Sequence, residues 1–138
     1  MRRIFLAVAL AAIAVAAMAA TASAQRVTTI RVVAVQTSQH RSGHSFIAKG
    51  RLAEPGHLSD VVGRYQAKFT PRGHRGVRIR GVASFFGQGT LKVKGVQRPR
   101  DNRILVIGGT GHFNGAAGKL KTRNLSKRNT RLTFVFVQ

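Results

Sequence analysis

Cysteine and tryptophan are absent from this 138-residue chain, tyrosine occurs once, and acidic residues number three. Without cysteine there is no disulfide, no thiol nucleophile and no cysteine-held metal. Stability therefore has to come from strand pairing and packing. With carboxylates only at Glu54, Asp60 and Asp101, all in predicted turns, a buried pair for acid–base catalysis has little material. Helical periodicity is missing as well. Past Gln25 no useful stretch repeats its apolar residues at the 3.6-residue spacing of an amphipathic helix.

What the chain has in excess is positive charge: 24 lysines and arginines give a formal charge of +21. Two of them, Arg2 and Arg3, precede an apolar, alanine-rich run from Ile4 to Ala20, and "TASAQ" follows with Ala22 and Ala24 before Gln25. A charged start, an apolar middle and small residues at −3 and −1 predict a cleaved signal peptide over 1–24 and a secreted or periplasmic domain over 25–138. A cationic exported domain attracts polyanions through long-range, salt-screened forces, which points to anionic envelope polymers as partners. Specific nucleic-acid binding is not expected, because the aromatics are few and mostly face inward, away from any stacking platform.

From Arg26 onward the pattern alternates with period two. "RVTTIRVVAV" is rich in β-branched residues and predicts a first strand over 26–35, with "QTSQHRSGH" (36–44) as a loop. Further strands are expected over 45–53, 61–69, 77–85, 91–94, 103–107, 119–123 and 130–138, with "EPGHLSD" (54–60) and "TPRGHRG" (70–76) as turns. About eight strands with short turns predict an all-β fold, an eight-stranded antiparallel barrel. The alternation also sorts the side chains. One face carries Tyr65, Phe69, Phe85, Leu91, Phe134 and Phe136 among small residues such as Ala48, Gly50, Gly63, Ala67, Gly81 and Ala83. The other carries Arg78, Arg80, Lys92, Lys94, Lys119, Lys121 and Arg123, the candidate polyanion surface. Small residues among large ones inside a barrel of this size leave room for one small apolar ligand.

"VIGGTGHFNGAAG" (106–118) invites comparison with a phosphate-binding loop. The dinucleotide fingerprint needs a third glycine where Asn114 stands, a helix where "KLKTRNL" alternates like a strand, and a later acid, though none follows Asp101. A P-loop fails because Leu120 follows Lys119. The segment reads instead as a glycine-rich connection at a barrel mouth, with His112 at the rim of the cavity. The five histidines are scattered, so neither a metal site nor a cofactor is expected.

The same segment resembles the "GGTG-x-F-x-x-A-x-G" stretch of dirigent proteins and the related allene oxide cyclase-like barrels. "VVGRYQAKF" and "GQGTLKVKG" resemble two further segments of that family in the same order, so the likeness runs from about Gly43 to Gln138. It implies an eight-stranded barrel around an apolar cavity, a small apolar or phenolic ligand, and a homo-oligomer, trimer or dimer, for which Val135 and Val137 would suit the interface. It also implies a carboxylate in the first strand for the cyclases and an arginine ahead of the last glycine for dirigents. The chain departs at both: 26–35 holds no acid, and Ala117 stands in the arginine's place. No catalytic residue is assigned.

Overall fold

The computed structural model describes residues 26–138; the expected signal peptide lies outside the described residues. Eight strands follow in chain order: β1 (Thr28–Ser42), β2 (Ser45–Glu54), β3 (His57–Pro71), β4 (Val77–Phe85), β5 (Gly89–Arg98), β6 (Asp101–Gly109), β7 (Ala117–Asn124) and β8 (Asn129–Val137). Each pairs antiparallel with the next, and β1 pairs with β8, so the sheet closes into a barrel without an edge. Closure replaces the disulfides the sequence lacks: every strand has two partners.

Two boundaries differ most from the expectation, while β5 and β6 each run longer at both ends than expected. β1 runs on through the polar stretch to Ser42, because its backbone pairs with β2 from Val33↔Ala53 to Ser42↔Ser45, with one register shift at Gln36/Ser38. Main-chain pairing needs no apolar side chains, so composition alone mistook this arm for a loop. β3 likewise begins at His57, leaving Pro55 and Gly56 as the whole turn. The acids consequently sit in strands and not in turns: Glu54 ends β2, Asp60 lies within β3 and Asp101 opens β6.

The up-and-down order gives the barrel two unlike ends. The β2–β3, β4–β5 and β6–β7 connections share one end with Thr28 and Val137; the β1–β2, β3–β4, β5–β6 and β7–β8 connections share the other. The first end is closed. There Phe113 packs edge-on against Phe85 and Phe136, with centroids 5.4 and 5.9 Å apart, and Phe85 meets Phe134 at 6.0 Å. Such edge-to-face pairs add to the roughly 1.5–3 kcal/mol gained by burying each large apolar side chain. Leu52, Leu91 and Ala116 complete this packed floor.

A cavity with a cationic mouth

The glycine-rich segment builds the floor. Val106 leads into Gly109, the chain turns through a single 3-10 turn at Gly111–Phe113, and Ala117 starts β7. Gly111 has φ +62°, and a Cβ there would lie 2.5 Å from the Gln88 carbonyl, so only glycine fits. The close approach lets the His112 N–H donate to the Gln88 carbonyl at 2.7 Å, while Thr90 and Thr110 share a hydroxyl bond of 2.8 Å. From the C-terminus, the Gln138 amide donates to the carbonyls of His112 and Asn114 at 2.7 and 3.1 Å. The loop is thus a plug that drives Phe113 into the core, and no phosphate cradle.

Beyond the floor the barrel is hollow. A cavity of about 320 Å³ opens at the opposite end, within the size range of small-molecule sites. Its space comes from the small inward residues of β2, β3 and β4, where Ala48, Ala67, Gly81 and Ala83 line the wall. Gly50 has no room for a side chain: a Cβ would meet the Val35 carbonyl and come within 2.7 Å of the Tyr65 ring. Tyr65 pairs with Gly50 on one side and Ala83 on the other, so the chain's sole tyrosine lies across two small neighbours. Half-burial pushes its phenol above the ordinary value, through loss of solvation of the phenolate. At neutral pH Tyr65 therefore keeps its proton as a hydrogen-bond donor.

Of the residues singled out from the sequence, Tyr65, Phe69 and Phe134 line this cavity, joined by Ile79, Ile104 and Leu120. Phe85 and Phe136 belong to the packed floor, and fully buried Leu91 lies in the same core outside the cavity wall. His112 is exposed at the closed end, so its expected place at the cavity rim is corrected: the β6–β7 connection leaves the barrel on the side away from the opening. Ala117 is also exposed, pairs with Val137 and takes no part in the cavity. The cationic set, Arg78, Arg80, Lys92, Lys94, Lys119, Lys121 and Arg123, is exposed on the strands. Register puts three cations side by side across neighbouring strands, Lys68 opposite Arg80 and Arg80 opposite Lys94.

The mouth was less visible in the sequence. Gln36, Gln97, Thr122, Asn124 and Thr130 ring it, with Lys127 and Arg128 reaching in from the β7–β8 connection. Strand parity signals Gln97 and Thr122, which continue the inward rows of Leu91–Val93 and Leu120. Lys127 and Arg128 lie in a turn, where alternation gives no signal. Thr122 is held from beside the ring, where the Asn102 amide donates to its hydroxyl at 3.1 Å. Among the described residues no three histidines or carboxylates come together as a metal site.

This is a closed antiparallel barrel with an apolar chamber, one plugged end and one polar, cationic opening. A solved structure with the same architecture is pyocyanin demethylase, matched at a TM-score of 0.65 over 79% of this chain and 99% of that one, with 12% sequence identity. At that identity the likeness is one of fold. No family model matches the sequence, and no curated protein matches it.

Proposed function

We propose that this is an exported binding protein of dirigent-like type, which holds a small apolar or phenolic molecule inside its barrel. The observation that carries the reading is the hollow itself: about 320 Å³ walled largely by apolar residues, with the chain's sole tyrosine, Tyr65, in its lining. The fold shared with pyocyanin demethylase, a protein named for its action on pyocyanin, is in keeping with a small-molecule guest. Burial of the guest would supply the affinity, at about 25 cal/mol per Å² of apolar surface, and the polar groups would orient it. Catalysis forms no part of the proposal. The three carboxylates are absent from the chamber lining, so an acid–base pair of the usual kind has no place there.

The chain carries its own reporter. With no tryptophan and one tyrosine, intrinsic emission comes from Tyr65 in the chamber wall. A panel of phenols and fused aromatics is expected to change that emission saturably. Ala67→Leu, which fills the chamber, is expected to abolish the change while the thermal transition persists. Saturable binding that survives the filling substitution would place the guest elsewhere and overturn the reading.

A second reading is a polyanion-binding surface. It is favoured by the Lys68–Arg80–Lys94 row, in which like charges face one another across the sheet. Among the described residues the sole ion pair is Asp101–Arg103, so the row has no acidic partner. Retention on an anionic polymer such as a polyphosphate should fall steeply as salt rises. Salt-insensitive retention would count against it.

A further inference from the structure

We infer that the guest is an amphiphilic anion: an apolar body seated in the chamber, with an acidic group held at the mouth by Lys127 and Arg128. The inference rests on the cavity reading above and adds a charge and an orientation to it.

The argument starts from where charge lies along the fold. The seven connections between strands contain Arg72, Arg75, Arg100, Lys127 and Arg128, and no aspartate or glutamate. Every one of those cations is in the β3–β4, β5–β6 or β7–β8 connection, at the open end; the connections of the plugged end have no lysine or arginine. The acids do not offset this. Glu54 and Asp60 flank the β2–β3 turn at the far end, and Asp101, the one carboxylate near the mouth, is held by the Arg103 guanidinium at 3.0 Å. A cleft lined by one sign of charge between low-dielectric walls focuses the field into its opening.

The chamber is graded to match. Phe69, Ile79, Ile104, Leu120 and Phe134 form its apolar lining; Gln97, Thr122, Asn124 and Thr130 lie toward the strand ends at the opening, and Lys127 and Arg128 belong to the β7–β8 connection there. No carboxylate lines it at any depth. A neutral guest would satisfy the apolar lining and leave the cations idle. A cationic guest would have to cross them. An apolar acid satisfies both zones, tail inward and charge outward.

Calorimetric titration with naphthoate and with its neutral methyl ester at neutral pH and low salt tests this. The acid is expected to bind about five- to tenfold more tightly than the ester, the scale of two partly exposed ion pairs, with the preference shrinking as salt is added. In Lys127→Gln/Arg128→Gln the acid should lose its advantage and bind no more tightly than the ester does to the same variant. Arg80→Gln/Lys94→Gln removes equal charge from the barrel side and should keep the preference. Equal binding of acid and ester by the unaltered protein overturns the inference and leaves the cavity reading standing. Binding of neither overturns both. Loss of the preference in the side-wall variant would assign the effect to net charge and overturn the mouth assignment.

Discussion

Tyr65 condenses the chemistry of the chamber into one side chain. Its phenol is raised by burial, so the folded state holds the proton more tightly than the unfolded state does. The stability this represents is intact below about pH 10, the unfolded value, and is lost as pH rises through the higher folded value. Tyrosinate absorbance should titrate above that of the urea-unfolded chain, and Tyr65→Phe should flatten the alkaline limb of stability by the corresponding amount. Gly50 makes the second residue-scale test. Gly50→Ala would push a methyl into the Val35 carbonyl and the Tyr65 ring, which predicts a loss near the upper end of the usual range, about 3 kcal/mol, read by urea unfolding. Alternation in the sequence put Tyr65 inside among small residues. It did not reveal that Gly50 is forced by a carbonyl of the neighbouring strand, because register is fixed only when the sheet closes.

At the level of elements, the β6–β7 connection is the part whose meaning changed most. Its glycines resemble a ligand loop, yet they serve to carry Phe113 beneath Phe85 and Phe136. Phe113→Ala is accordingly expected to cost about 3–5 kcal/mol, whereas His112→Ala, at an exposed position, should change stability by less than about 0.5 kcal/mol. Neither should alter affinity for a chamber guest when measured on folded protein, since both lie at the plugged end. A weakened guest in His112→Ala would show that the loop reaches the chamber after all. The barrel itself was legible in the alternation of β2 to β5, β7 and β8 and in the apolar run of β6. The far half of β1 was not: "QTSQHRS" has neither apolar alternation nor β-branched density, and it is held in the sheet by pairing with β2. Which end would be open was likewise hidden, because the choice depends on where one phenylalanine in a loop comes to rest.

Across the whole molecule, uncompensated charge sets the balance. Like charges facing each other across strands oppose pairing by roughly 0.2–1 kcal/mol, and the Lys68–Arg80–Lys94 row has no acid to relieve it. Lys94→Gln is therefore expected to raise the melting temperature in low salt, with the gain fading as added salt screens the row. The barrel side also offers an apolar surface. Leu105 and Ile107 are half-exposed on β6, and Val135 and Val137 lie on β8, with Lys119 pairing between Leu105 and Val135. Ile107→Asp, which puts a charge in the middle of this face, is expected to shift sedimentation toward the monomer wherever the face joins two copies.

The two unlike ends also decide how the molecule can be handled and displayed. Thr28 and Gln138 both leave the barrel beside the plug, so a linker, tag or support joined at either place stays on the far side from the opening. Molecules grafted to a bead through the last residue would stand with their openings toward the liquid, and their capture capacity should match that of the free protein. Insertion of the same linker between Ser126 and Lys127 should obstruct the opening instead.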